Sequence, residues 1–308
     1  MDAYAGMVEH TAVLEARSEG RIVAFNTGLT DLDDHLDGGL RPGQLVVVAA
    51  RPAVGKSAFA QTVAVHMAAE RAVGFVSLEM SRADVFDRLT AMLGRVPMPM
   101  VMRPKRGEGL AWDRVVEGTE RAKLLKFHVL EQAGATIRQL SMRARALRRH
   151  RGLEVLVIDY LGLMAGLDQR QNRVHQIEEI SRGLKCLAKE LGIVVIALSQ
   201  LNRAVESRVD STPMLSDLRD SGAIEQDPDI VLMLHRPIAS NPSLGPEWAQ
   251  YGKVRIAKAR QGRTGDVNLR YVGEQVPFED WTGPAPTRTE PTRHGTAASP
   301  QRSRTGGT

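Results

Sequence analysis

The stretch AARPAVGKSAF, residues 49–59, decides the fold of this chain. It follows the apolar run Leu45–Ala49 and leads into a segment whose apolar residues recur at helical spacing. A glycine-containing turn between a strand and a helix is the setting of a phosphate-binding loop, where backbone N–H groups at the helix start point at phosphates. We predict that Gly55 shapes this turn, that Lys56 reaches the β and γ phosphates of ATP, and that the Ser57 hydroxyl binds Mg²⁺.

The loop departs from the pattern Gly-x-x-x-x-Gly-Lys-Ser/Thr, because Ala50 stands where the first glycine is expected. Alanine is accommodated there only if its φ angle is negative. A Gly-Lys-Ser sequence alone is also compatible with an ordinary helix start and a solvated lysine, so the other segments must decide between the two interpretations. The loop residues predicted to contact the nucleotide are Arg51, Pro52, Ala53, Val54, Gly55, Lys56, Ser57 and Ala58.

Two carboxylates are predicted at the carboxyl ends of parallel strands, the edge of an open α/β sheet where ligands bind. The run VLVID (155–159) is apolar without alternation, which is typical of a buried parallel strand, and it ends at Asp159. Asp159 can hold Mg²⁺ there, although an Asp that caps the following turn has the same pattern. Glu79 follows the apolar run Val73–Leu78 and is predicted to deprotonate the attacking water, with a surface glutamate in the next helix as the alternative.

Three polar residues further along the chain complete the predicted catalytic set. Gln200 follows the apolar run Ile193–Leu198, so its amide either senses a γ-phosphate or belongs to an exposed turn. Lys258 and Arg260 alternate in KVRIAKARQGR (253–263), and residues two apart share one face of a strand. The pair can stabilise transition-state charge as an arginine finger does, but a basic edge strand that discourages sheet pairing has the same sequence. The residues alone leave both interpretations open.

Strand patterns alternate with helical patterns from Leu45 to Leu234, which predicts an α/β fold with a mostly parallel sheet covered by helices on both faces. A helix is predicted over 174–191, because its apolar residues form one stripe at three- and four-residue intervals. The preceding segment, 166–173, has no apolar pattern and is predicted to be a mobile loop. With 308 residues, of which 43% are hydrophobic, the chain can bury one sizeable core.

The net charge of +5 suits a polyanionic partner. Arginines concentrate in RQLSMRARALRRHR (138–151), where the spacing favours a solvated helix face over a DNA groove. Only 4% of residues are aromatic, so contacts to a nucleic-acid backbone are expected to dominate over base stacking. Cys186 is the only cysteine, which excludes a disulfide within the chain. Without an apolar run of membrane-spanning length or a signal-like start, we expect a soluble cytoplasmic protein.

In wording and in order, these segments resemble the motor domain of the DnaB-family replicative DNA helicases. The resemblance runs from about Thr27 to Asp280 and includes SLEM (77–80), ALSQLNR (197–203) and SDLRDSGAIEQDPD (216–229). It implies a RecA-like P-loop ATPase fold and a ring-shaped hexamer that binds ATP and Mg²⁺ between subunits. It also implies single-stranded DNA threaded through the centre of the ring and 5′-to-3′ movement.

The resemblance also implies roles for single residues. The implied roles are nucleotide and magnesium binding by Lys56, Ser57 and Asp159, catalysis by Glu79 and Gln200, action on the neighbouring subunit's site by Lys258 and Arg260, and DNA binding by Arg219, Asp220 and Gly222. The chain departs from the family where Asp220 replaces a common glutamate, Gly162 a common glutamine and Gln261 a usual asparagine. Asp220 keeps the negative charge on a shorter side chain, so a role at the DNA backbone is retained.

The domain organisation is predicted as a linker-helix-like segment over 1–25, a RecA-like ATPase motor domain over 26–282 and a disordered tail over 283–308. The resemblance implies a helical collar domain before the motor, which the first 25 residues are too few to form. The segment is either a short helix ending near Gly20 or a frayed tail. The residues predicted to line one side of that helix are Met7, Val8, Ala12, Val13, Leu14 and Ala16.

The predicted function is that of an ATP-dependent DNA helicase that translocates on single-stranded DNA and unwinds duplex during replication. Expected partners are single-stranded DNA, further copies of the chain, and a primase, a loader or a full-length helicase. One alternative is an accessory subunit that joins or regulates a full-length helicase ring. The other is a recombinase-type DNA-dependent ATPase, which would share the phosphate-binding loop but not SDLRDSGAIEQDPD (216–229).

Overall fold

A computed structural model describes residues 2–19, 24–105, 109–168, 170–208, 211–218 and 222–287. Its centre is one sheet, which within these residues has nine strands in the spatial order β3-β2-β4-β5-β1-β6-β7-β8-β9. The strands are β1 Leu45–Ala50, β2 Val73–Ser77, β3 Phe127–Glu131, β4 Val155–Asp159, β5 Val194–Gln200, β6 Ile230–His235, β7 Tyr251–Ala259, β8 Gly265–Tyr271 and β9 Phe278–Asp280.

Helices connect most of the parallel strands. The α-helices are α1 Ala3–Ser18, α2 Thr30–His35, α3 Lys56–Ala68, α4 Arg82–Gly94, α5 Met98–Met102, α6 Gly109–Ala122, α7 Ile137–Arg151, α8 Arg173–Leu191, α9 Gly222–Gln226 and α10 Pro237–Ser240. Short 3₁₀ helices cover Leu161–Leu163, Arg203–Ser207, Leu215–Leu218 and Pro246–Trp248. In the part of the chain that the structure describes, every helix is either too short or too polar to cross a lipid bilayer.

The strands from β3 to β6 pair in parallel, and β7, β8 and β9 extend the sheet in antiparallel fashion. The predicted α/β fold with a mostly parallel sheet is therefore confirmed. Pairing on both sides of β7, with β6 and with β8, makes it an interior strand, so the edge-strand interpretation of KVRIAKARQGR (253–263) is wrong. The alternation that suggested an edge arises because one face of β7 packs on the core while the other is half-exposed.

Both faces of the sheet are covered, as the alternation of side chains along β1 illustrates. Val46, Val48 and Ala50 pack in the same cluster as apolar residues of α3, whereas Val47 and Ala49 pack with those of α7 and α8. All β1 side chains are at most 1% exposed. Full burial of one aliphatic side chain contributes about 1.5–3 kcal/mol, so burial of the whole strand holds β1 firmly at the centre of the sheet.

The predicted runs over β2, β4, β5 and β6 match strands to within two residues at each end. The predicted helix over 174–191 corresponds to α8, which is capped by the Asn172 side chain and ends at Gly192 in the left-handed conformation, with φ 59°. The alternating patterns did not reveal β3 or the α4–α6 excursion that precedes it. The apolar residues of β3 are only half-buried at the sheet edge, so they lack the continuous buried run of a central strand.

A helix is present in the N-terminal segment, over Ala3–Ser18, and its larger apolar side chains are exposed. Tyr4, Met7, Val8 and Leu14 share one stripe, because at 100° per residue they fall within about a third of a turn. The prediction that all six named residues line one side is wrong, since Ala12, Val13 and Ala16 point to other sides of the helix. Whether the segment forms a unit separate from 26–282 stays a prediction, as does disorder from Gly283, because residues 288–308 lie outside the described part.

Candidate nucleotide-binding site

The turn between β1 and α3 has the geometry of a phosphate-binding loop. Gly55 precedes the first residue of α3 with φ 105°, and a Cβ atom there would approach the Phe278 ring to 3.2 Å. Glycine suits this position because it adopts a positive φ without strain. Ala50 ends β1 with a negative φ, as alanine requires, whereas Ala53 in the loop has φ 62°.

A cavity of about 310 Å³ opens over this loop. Most of the residues predicted to contact the nucleotide line it, namely Arg51, Pro52, Ala53, Gly55, Lys56, Ser57 and Ala58. Val54 does not, because its side chain is buried in the core below the loop. Arg51 links the loop to the segment after Gln200: its Nε lies 2.7 Å from Glu206 Oε1, and its Nη1 donates a hydrogen bond to the Leu201 carbonyl.

Lys56 lies above the Tyr160 ring, with Nζ 4.1 Å from the ring centre. Burial lowers the pKa of this lysine, and the nearby negative charges of Asp159 and Glu79 oppose that shift. Withdrawal from water therefore makes the ammonium costly unless an anion approaches it. A phosphate in the cavity would supply that negative charge.

Asp159 lies at the carboxyl end of β4 and is fully buried, and neither carboxylate oxygen has a hydrogen-bond partner among the described residues. Burial raises the pKa of this carboxyl, while the neighbouring Ser57 hydroxyl and Lys56 oppose the rise. A buried carboxylate without a partner is unfavourable, and hard cations such as Mg²⁺ prefer oxygen ligands. Asp159 and Ser57 thus fit a divalent cation. Within the described residues, no group of three or more His, Cys, Asp or Glu side chains could hold a metal alone, so nucleotide oxygens would complete the site.

Glu79 and Gln200 are both exposed and both line the cavity. Gln200 pairs with Ala50 in the register of β5 and β1, which places its amide beside the start of the loop. Within the part of the chain that the structure describes, neither side chain makes a hydrogen bond or an ion pair. Both are therefore available to water and to a γ-phosphate.

The sequence analysis missed Arg88, which also lines the cavity. It lies on α4, and its charge opposes the raised pKa of Asp159. A second cation beside Lys56 suits a polyphosphate. No sequence motif marks this arginine, because only the packing of α4 brings it to the loop.

Tyr271 at the end of β8 was missed as well. Its ring lines the cavity, packs against Phe278 at a centroid distance of 4.8 Å and has the Arg236 guanidinium carbon 4.1 Å from its centre. Burial lowers the pKa of Arg236, whose Nε has no hydrogen-bond partner among the described residues. An aromatic ring and a planar cation stacked at the cavity rim can accept the flat base of a nucleotide.

Lys258 and Arg260 lie at the opposite edge of the sheet. Ala259 pairs with Ile230, and Ile230 pairs with Val46 near the start of β1. At about 3.3 Å per residue, roughly 15 Å of β1 separates this edge from the phosphate-binding loop. The two cations therefore do not reach a nucleotide bound at the loop of their own chain.

The chain matches the model of the family described as "DnaB-like helicase C terminal domain" over residues 24–280. It belongs to this family. Similar relatives are the replicative DNA helicase DnaB of Rickettsia bellii, 36% identical over 85% of this chain and 58% of the relative, and that of Leifsonia xyli subsp. xyli, 38% identical over 85% and 57%. The chain thus spans less than three fifths of the length of these curated relatives.

Solved structures agree with this membership in the DnaB-like family. A solved structure of an isolated ATPase domain superposes with a TM-score of 0.84 at 33% identity, covering 92% of this chain and 100% of that one. A DnaB-like replicative helicase described with its interactions with primase gives a TM-score of 0.81 at 32% identity, covering 88% and 66%. The RecA-like ATPase fold is therefore confirmed, and membership implies a nucleotide and a divalent metal in general.

The residues predicted to bind DNA in this DnaB-like domain are only partly described. Gly222 is the first residue of α9, which packs against α8 and the 3₁₀ helix Leu215–Leu218. Arg219 and Asp220 lie outside the described residues. Gly162, a departure from the family pattern, lies in the 3₁₀ helix after β4, where a Cβ would approach the Tyr160 ring to 2.6 Å.

Proposed function

We propose that this chain is the ATP-hydrolysing motor of a replicative DNA helicase, which translocates on single-stranded DNA and unwinds duplex with 5′-to-3′ polarity. The observation that carries the proposal is one cavity that combines Lys56 and Ser57, a nearby buried carboxylate without a partner, and the unpaired acid Glu79. Family membership favours a helicase over a recombinase-type ATPase.

ATP and Mg²⁺ are the proposed ligands. The loop N–H groups and Lys56 bind the phosphates, Arg88 adds a second positive charge, and Ser57 with Asp159 holds the metal. When bound, Mg²⁺ bridges phosphate oxygens and neutralises charge that develops on them. Glu79 accepts the proton of the attacking water, and Gln200 contacts the γ-phosphate.

The ATP site is proposed to be shared between copies of the chain. Lys258 and Arg260 lie too far from their own loop, so they act as transition-state cations on the nucleotide of a neighbouring subunit. A closed ring satisfies this arrangement at every interface, and we propose a hexamer of cytoplasmic location that works with a primase or a loader.

Arg219 is proposed to contact the DNA backbone with Asp220 and Gly222. Arg219→Ala is expected to weaken single-strand binding equally for all sequences and to lower the slope of log affinity against log salt by about one unit, because one phosphate contact is lost. Fluorescence anisotropy with labelled oligonucleotides over a salt series measures both quantities. Arg203→Ala is a control outside the proposed DNA loop, and unchanged DNA binding by Arg219→Ala would remove it from the DNA site.

Residues 1–25 are proposed to act as a linker. The stripe of Tyr4, Met7, Val8 and Leu14 is exposed in the single chain, and we propose that it packs on a neighbouring copy. Deletion of residues 1–20 is therefore expected to raise the protein concentration needed for ring formation and to make ATPase activity fall on dilution. Analytical ultracentrifugation across concentrations measures the assembly. Identical assembly by intact and shortened chains would contradict the linker role.

Strand displacement on forked DNA by the purified chain alone tests the proposed function. ATP-dependent unwinding from a 5′ single-stranded arm is the expected result. A chain that hydrolyses ATP but leaves the fork intact, and that changes unwinding when mixed with a full-length helicase, would instead support an accessory subunit.

A further inference from the structure

A buried carboxylate lies directly beside Arg260. Asp229 precedes β6 and is 7% exposed. Its Oδ2 accepts hydrogen bonds from the Leu45 amide at 2.8 Å and from Lys185 Nζ at 2.5 Å, and its Oδ1 lies 3.5 Å from Arg260 Nη1. The backbone reinforces this contact, because the Arg260 amide donates a hydrogen bond to the Asp229 carbonyl. Asp229 thus fixes both the main chain and the guanidinium of Arg260.

The two cations at this edge share a second anchor. Lys258 Nζ donates to the carbonyls of Glu225 and Gln226, each at 2.8 Å, and Arg260 Nη2 donates to the Gln226 carbonyl at 3.2 Å. These carbonyls belong to the last residues of α9, the end of a helix that attracts positive charge. Carbonyl dipoles alone leave two like charges close together.

Charge balance assigns the carboxylate a specific part. Burial and then the nearby Arg260 lower the pKa of Lys258, while the negative charge of Asp229 opposes the shift. Lys185 is held by the Gly43 carbonyl as well, so it keeps the carboxylate oriented from the core side. The Arg260 side chain is nevertheless 51% exposed, which leaves part of its guanidinium free to meet another molecule.

We propose that Asp229 is a positioning residue for Arg260. Its carboxylate, oriented by Lys185 and the Leu45 amide, offsets the repulsion between Lys258 and Arg260 and holds the guanidinium in one direction, toward the nucleotide of a neighbouring subunit. Displacement of a catalytic group by about 1 Å can reduce a rate by about 10²-fold, so such an anchor matters for turnover. The inference rests on the shared-site function proposed above.

Asp229→Asn in the full chain tests the inference, because the amide keeps the shape and one acceptor oxygen but removes the charge. We expect kcat for ATP to fall by about 10- to 100-fold with KM nearly unchanged, since binding at the chain's own loop does not involve Asp229. In an Arg260→Ala background, measured with radiolabelled ATP, the same change is expected to have no further effect. Lys185→Gln is expected to give a smaller fall in kcat that also disappears without Arg260.

Asp266→Asn is the matched control. Asp266 also accepts partly buried ion pairs from β7, with Arg255 Nε at 2.8 Å and Lys253 Nζ at 3.1 Å, but it touches neither Lys258 nor Arg260. It should lower thermal stability without lowering kcat. The inference is overturned if Asp229→Asn leaves kcat unchanged, or if its effect persists at full size without Arg260. Normal hydrolysis by Arg260→Ala alone would instead overturn the shared-site function.

Discussion

Replacement of Glu79 by glutamine is expected to slow ATP hydrolysis by roughly 10²–10⁴-fold while nucleotide binding stays near its original level. The carboxylate lines the cavity and makes no hydrogen bond or ion pair within the described residues, so it is free to take a proton from water. Glutamine keeps the shape and polarity of the side chain but lacks a basic oxygen. Steady-state phosphate release and equilibrium binding of a fluorescent ATP analogue measure the two effects separately.

Two controls frame the Glu79 experiment. Lys56→Ala removes the cation that meets the phosphates and should abolish nucleotide binding itself. Glu131→Gln changes an exposed acid at the end of β3, next to β2 in the sheet but outside the cavity, and should leave turnover unchanged. Near-normal turnover by Glu79→Gln would exclude this residue as the catalytic base.

Arg260→Ala is expected to reduce ATP turnover by about 10³–10⁵-fold, the usual cost of a missing arginine finger, while each mutant chain still binds ATP at its own loop. The cation and the loop of one chain lie at opposite edges of the sheet, so the loss is felt at the site of the neighbouring copy. Mutant chains mixed into wild-type rings should therefore depress ATPase activity and unwinding by more than their fraction. Titration of mutant against wild-type chains measures this excess.

Complementation sharpens the Arg260 experiment. Lys56→Ala chains keep the finger, so a ring that contains both mutants has some interfaces where an intact Lys56 faces an intact Arg260. Mixing the two inactive proteins should restore a little activity. Arg263→Ala, an exposed arginine in the turn that follows Arg260, should hydrolyse ATP normally. Normal hydrolysis by Arg260→Ala itself would contradict a shared site.

The central part of the fold was predictable because local patterns report burial directly. Continuous apolar runs identified β1, β2, β4, β5 and β6, and their carboxyl ends placed Glu79, Asp159 and Gln200 at one edge of the sheet. The turn at Gly55 was equally readable, since its glycine, lysine and serine each have a local reason for their positions. These features depend on neighbours in sequence or on the shared direction of parallel strands.

The tertiary structure alone decided how distant segments meet. Arg88 comes to the cavity through α4, and Tyr271 meets Arg236 where β8 and β6 end, contacts that no periodicity encodes. The same holds for Asp229, which reads as a loop aspartate in sequence yet is a buried partner of Lys185.

By itself, the sequence determined a parallel α/β core, a phosphate-binding loop and the polar residues at the ends of its strands. Hydrophobic periodicity and turn chemistry act over a few residues, so they can be read along the chain. Only the tertiary structure decided that β7 is an interior strand and that Arg260 lies across the sheet from its own loop. Strand pairing joins segments far apart in sequence, and its direction depends on which surfaces pack together, which a local pattern does not contain.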